Sequence, residues 1–137
     1  MRITYAPRDI LQIDDARIIY RNFAGRGDKY NREGDRNFAV LIPDEEIADE
    51  LTRRGWNVKV KFNDRGPSVY LRTGRVQNRL EEEDIGRLDR IDIIGVDLDI
   101  RPYDWEVNGK TGRTAYLQSI CVTQDVDRFA EGIYPEG

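Results

Sequence analysis

The chain has 137 residues, with 22 Lys and Arg against 26 Asp and Glu for a net charge of -4, and it is 39% hydrophobic and 35% charged. That suits one domain with a compact core and a densely charged surface. With no histidine and a single cysteine, Ser-His-Asp and Cys-His catalysis, most zinc sites and an internal disulfide are excluded. No run approaches the about 18 apolar residues of a membrane helix, and Met1-Arg2-Ile3-Thr4 opens without an apolar signal core. A cytoplasmic protein without membrane contact is expected, with Cys121 as a buried thiol in the run Ile120-Cys121-Val122.

Asp14-Asp15 reads as a turn, and Ala16 to Phe23 as the first strand, rich in β-branched and aromatic residues. Arg36 to Ile42 is its partner. The loop between them carries Arg21, Arg26, Lys29, Arg32 and Arg36, interleaved with Phe23, Tyr30 and Phe38 and loosened by three glycines. Arg-Asn-Phe occurs at 21–23 and again at 36–38, marking where the paired strands leave and re-enter the sheet. Pro43 to Gly55 is the clearest helix: proline opens it, acids fill its first turn, arginines its last, and glycine stops it.

Trp56 to Phe62 alternates, with Trp56, Val58, Val60 and Phe62 inward and Lys59 and Lys61 on a basic outer face. Asn63 to Pro67 is a turn. Ser68 to Val76 returns as a strand with Val69 and Leu71 inward and Tyr70 and Arg72 outward. Leu80 to Arg90 is an acidic segment that reads as a short helix or a solvated connector. Ile91 to Ile100 contains a strand, ended by Pro102. Tyr103 to Val107 and Thr114 to Thr123 form a hairpin around Asn108-Gly109-Lys110-Thr111-Gly112. Two units result: residues 1–124 as a single β-barrel domain, and 125–137 as a short acidic, flexible tail. Six or seven short strands with irregularly placed helices fit a small closed or half-closed barrel better than a βαβ fold.

Asn108-Gly109-Lys110-Thr111 resembles the end of a phosphate-binding P-loop, but Asp104 stands where that motif needs its first glycine, and a strand follows instead of a helix. Asp97 and Asp99 share a strand face with Asp92 nearby. The pattern fits either the solvated face of an edge strand or a Mg²⁺ site. No cofactor or metal is called for.

Charge is distributed in blocks: about +2 over residues 1–42 and about +5 over 55–79, with the acids gathered at 43–54, 80–99 and the C-terminal end. The net charge therefore conceals basic regions, and their cations are mostly arginine, which pairs bidentately with phosphate and stacks on bases. Cations with aromatic faces suit a flexible strand of bases. Arg21, Arg26, Lys29, Arg32, Arg36, Lys59, Lys61, Arg72 and Lys110 are the candidate phosphate contacts, with Arg113 beside the last turn. Tyr30, Tyr70, Tyr103 and Trp105 are the candidate stacking rings. The alternative is a protein–protein interaction module, structural or host-interacting, without nucleic-acid binding.

The run Asn31 to Phe38, the helix opening Pro43-Asp44-Glu45-Glu46 and the stretch Arg101 to Gly112 resemble small proteins of tailed bacteriophages, and within that group the single-stranded DNA-binding proteins with an OB-fold. The likeness covers roughly Asp15 to Thr123. It implies a mainly β, OB-fold-like barrel with one or two short helices and long basic hairpin loops. It implies sequence-tolerant binding of single-stranded DNA in phage replication or recombination, in the host cytoplasm, as a monomer or dimer and without catalysis. It also implies that the acidic tail contacts replication or recombination proteins, although this tail lacks a dense acidic run ending in phenylalanine. One departure is visible: the 43–55 helix follows the second strand, whereas the usual OB-fold helix lies between the third and fourth.

Overall fold

The computed structural model describes residues 1–29, 31–60, 65–73 and 86–124. Its elements are β1 (Arg2–Tyr5), a 3-10 turn at Pro7–Asp9, β2 (Leu11–Asn22), β3 (Asn37–Leu41), α1 (Glu45–Arg53), β4 (Val58–Lys59), β5 (Ser68–Arg72), β6 (Ile93–Val107) and β7 (Lys110–Gln124). Five strands close a ring in the order β2-β3-β5-β7-β6 and back to β2. β5 and β7 run parallel, and the other neighbours round the ring are antiparallel. This is a small OB-like barrel.

Alternation along the strands fills it. Leu11, Ile13, Phe38, Val40, Val69, Leu71, Val96, Leu98 and Ile100 point into one cluster, which Ala48 and Leu51 of α1 and the buried Trp56 complete. The helix forms as its sequence dictates. Asp44 caps it by accepting the Glu46 amide at 2.8 Å, Glu45 and Glu46 occupy its positive end, and Arg53 closes it. It follows the second barrel strand, as the proline-to-glycine signature requires. Tyr70 and Arg72 face outward, as their alternation predicts.

Several expectations are corrected. Asp14-Asp15 is no turn: β2 begins at Leu11 and passes through both residues in a bulge, with Asp15 at φ 54 and its amide donating to Asp97 at 2.8 Å. β1, unforeseen, pairs with the first part of β2. β4 is only two residues long, and Val60 is exposed rather than inward. Pro102 does not end β6, because β2 pairing stops at Leu11↔Ile100. Beyond that point, among the described residues, β6 pairs with β7 on one edge only, and an edge without a ladder partner tolerates a residue lacking an N–H. The last hairpin is tighter than expected. Val107 pairs with Lys110, and Asn108 (φ 51) and Gly109 (φ 78) make a two-residue turn with both central residues left-handed. Cys121 is exposed, since among the described residues this end of β7 pairs with β6 but no longer with β5. Phe62, Val76, most of the 80–90 segment and the 125–137 tail lie outside the described residues.

Leu51 is the helix's anchor, with no exposed surface. Leu51→Ala is expected to lower stability by about 2–5 kcal/mol, read as a lower urea midpoint with unchanged slope.

Candidate nucleic-acid interface

The outward residues of β3 and β5 build a groove across the barrel wall. A depression of about 630 Å³ is lined by Tyr20, Ala39, Lys59, Tyr70 and Arg72, among others. A second, of about 320 Å³, lies between Arg36, Tyr70, Arg72 and Tyr116. Tyr70 and Arg72 border both, so the two adjoin along the outer face of β5 and outline a channel. Across the β5–β7 contact Arg72 stands in register with Tyr116, which carries the channel onto the last hairpin. There the Arg101 guanidinium lies 4.8 Å above the Tyr116 ring, and Tyr103 meets Tyr116 edge-on at 6.2 Å.

The Tyr70 hydroxyl donates to Asn31 Oδ1 at 3.3 Å. Burial raises its pKa, with Arg72 opposing and Asp35 and Asp28 assisting, so the ring stays neutral through the physiological range. Trp105 lies against Gly112, its cross-strand partner. A Cβ at Gly112 would stand 2.6 Å from the indole Cε2, so the glycine is what lets the ring lie flat on the hairpin.

The basic loop is pinned rather than loose. Asn22 and Asn37 face each other across its root. Asn22 receives the Arg26 amide at 2.9 Å and donates to the carbonyls of Arg26 and Asp35 at 3.0 and 3.2 Å. Gly34 donates to the Gly25 carbonyl at 2.7 Å. Phe23 and Phe38 stack at 5.1 Å inside the barrel, so the doubled Arg-Asn-Phe does mark the loop's two ends. The nearly buried Asp89 carboxylate accepts the Phe23 and Ala24 amides at 2.8 and 3.1 Å. Arg21 donates to the Leu88 and Ile91 carbonyls at 2.8 and 2.7 Å.

The predicted residues therefore divide. Arg36, Lys59, Tyr70 and Arg72 meet in the groove. Tyr103, Trp105 and Lys110 stand exposed on the hairpin. Arg26, Lys29 and Arg32 are exposed on the loop, with Arg26 3.7 Å from Asp89. Arg21 serves the loop's anchorage. Arg113 borders the groove but is engaged internally. It donates to Asp104 at 2.6 and 3.0 Å, to the Arg54 carbonyl at 3.1 Å and to Asp9 at 3.3 Å, and it lies over Trp56. Tyr30 and Lys61 lie outside the described residues. Asp97 and Asp99 are occupied by the Asp15 amide and the Ser119 hydroxyl, and among the described residues no acidic cluster could hold a metal. Arg101 and Tyr116 belong to the basic and aromatic constellation that the sequence brings together around the last hairpin, but sequence reasoning left out Tyr20. Tyr20 ends an apolar run and reads as strand filler; only the bulge that turns it outward distinguishes it.

The family model described as "Putative phage ssDNA-binding domain" matches residues 1–74 and 62–134. Among solved structures, the single-stranded DNA-binding protein from bacteriophage Enc34 in complex with ssDNA is similar, with a TM-score of 0.62, 18% identity, and coverage of 91% of this chain and 92% of that one. A further structure of the single-stranded DNA-binding protein from bacteriophage Enc34 gives a TM-score of 0.59 at 17% identity, over 96% of this chain and 95% of that one. No curated protein matches.

Asp104 and Arg113 are cross-strand partners within the last hairpin, and from there Arg113 reaches the Arg54 carbonyl and Asp9. The Arg113 hydrogen bond holds the Asp104 carboxyl below its ordinary value, against a small opposing effect of burial. A depressed folded pKa gives stability that is complete above the ordinary carboxylate range and is lost as the pH falls through it. The wild-type melting temperature should therefore fall more steeply than that of Asp104→Asn as the pH drops from about 5 toward 2. Added salt should narrow the difference, because Asp104 is largely exposed.

Proposed function

The chain belongs to the phage ssDNA-binding domain family, and we propose that it is a single-stranded DNA-binding protein of phage DNA replication or recombination, acting in the host cytoplasm by binding rather than catalysis. The observation that carries the reading is the channel itself. Lys59, Arg72 and Arg36 flank Tyr70 and Tyr116, and Tyr103, Trp105 and Lys110 continue the same mixture of ring and cation along the hairpin.

Single strands present two things that duplexes hide: base faces and a compliant backbone. Exposed rings accept any base face, so binding is tolerant of sequence. The cations accept phosphates, so affinity falls with salt. The Enc34 protein, whose structure includes ssDNA, has the same fold and supports taking the channel as the strand's path. The acid-rich segments at 43–54 and 80–99 leave the overall charge negative. The reading needs only a local positive channel. It also assigns the acidic residues after Thr123 a role in contacting replication or recombination proteins.

Titration with oligo-dT at several salt concentrations tests the assignment. Lys59→Ala and Arg72→Ala should each weaken binding and flatten the log K against log salt slope by about 0.7. Trp105→Ala and Tyr103→Ala should each lose about 1–3 kcal/mol without changing that slope. DNA should quench Trp105 fluorescence and leave the buried Trp56 unaffected. No binding at low salt, or binding indifferent to salt, would defeat the assignment and select an interaction module instead.

A further inference from the structure

One part of the groove combines a missing side chain with a strained backbone. Ala39 and Ile19 are 4% and 7% exposed, yet neither belongs to the core cluster. Their register explains why. Ala39 pairs with Ile19 on one side and Tyr70 on the other, while its neighbours Phe38 and Val40 point into the core. Ala39 is therefore a small outward residue at the floor of the 630 Å³ depression, a volume within the about 300–1,000 Å³ typical of small-ligand sites.

At the rim stands Tyr20. Its backbone is left-handed, at φ 54, inside the register break between Ile19 and Asn22. Tyrosine adopts this conformation only under constraint. Such a break re-aims the side chain. Here it delivers a ring that remains 56% exposed: the strain is retained although the ring gains little burial from it. Opposite, the Tyr70 ring is steadied by its bond to Asn31.

We propose that this depression takes one unpaired nucleobase, seated over Ala39 with the rings of Tyr20 and Tyr70 at its sides and the adjoining phosphates held by Lys59 and Arg72. Asn31 and Asn57 line the same depression: Asn31, whose Oδ1 accepts from Tyr70 and Asn37, offers its amide donors, and Asn57 a donor and an acceptor, to the base's polar edge. The seat differs from the open hairpin surface of Tyr103 and Trp105. It encloses a base, and a base inside a duplex cannot enter without unstacking. Discrimination of single from double strands is thereby built into the barrel wall. The inference rests on the ssDNA-binding reading.

Ala39→Leu would fill the seat from below. Its binding should be measured against oligo-dT and an abasic oligonucleotide of equal length, across a salt series, beside its melting curve. The expected result is at least tenfold weaker binding of oligo-dT, unchanged binding of the abasic strand and an unchanged salt slope. Tyr20→Ala should show the same selective loss, and it decides the matter alone if Ala39→Leu does not fold. A folded Ala39→Leu that binds oligo-dT like the wild type would overturn the seat, as would equal losses on both oligonucleotides. Wild type that binds neither strand at low salt would instead remove the ssDNA reading, and the seat with it.

Discussion

The ring closes because β2 gives its two edges to different partners along its length. Residues 11–16 pair with β6, and residues 17–22 pair with β3. Twelve residues can serve both only if the strand bends between them, and the bulge at Asp15 supplies the bend. Its left-handed backbone is held by the Asp15 amide donating to Asp97, with Gly95 leaving room for the Asp15 carboxylate. β5 has a matching arrangement: β3 pairs along its whole length, while β4 pairs with its first residues and β7 with its last. Closure then fixes which residues face inward. The outward set on β3 and β5, with Tyr116 in register beside it, is a consequence of closure rather than a separate design.

The same device recurs a turn of the strand later. Where the Asp15 bulge curves β2 to meet β6, the break at Tyr20 loosens β2 from β3 just before the basic loop departs. One bend is satisfied by a carboxylate, and the other leaves a ring in the open. The described residues of the loop beyond are then tied to the barrel by side chains rather than by strand pairing. Asn22 bridges its two arms, and Asp89 takes its first amides. A binding loop fastened this way loses less conformational freedom when it meets a ligand than a slack one would.

Elements with a local chemical cause were legible in the sequence. The α1 boundaries follow from proline, acids, arginines and glycine in order; the final turn follows from Asn-Gly; the facing of β5 follows from strict alternation. The doubled Arg-Asn-Phe located the loop's root because both asparagines and both phenylalanines are needed there. What stayed hidden depends on partners distant in sequence. The bulge at Asp15 exists for Asp97, 82 residues away. Pro102 is tolerated because β2 has stopped pairing, and Cys121 is exposed because β7 has run past the described residues of β5. None of these causes lies within a window of neighbouring residues.

Counting arginines also misleads about the site, for a physical reason. A guanidinium can bind carbonyls, carboxylates and ring faces as readily as phosphates, and this barrel uses several that way. Arg2 pairs with Asp14. Arg53 and Arg54 share Glu50, and Arg54 also lies 3.6 Å over the Tyr5 ring. Arg21 takes two carbonyls, and Arg113, paired with Asp104 across the hairpin, joins that hairpin to Trp56 and the Arg54 carbonyl. These contacts hold together the walls on which Lys59, Arg72 and Arg36 are displayed. The distinction between scaffold and ligand-facing cations therefore lies in the register of the strands, and scattered basic residues become a directed channel only once the ring has closed.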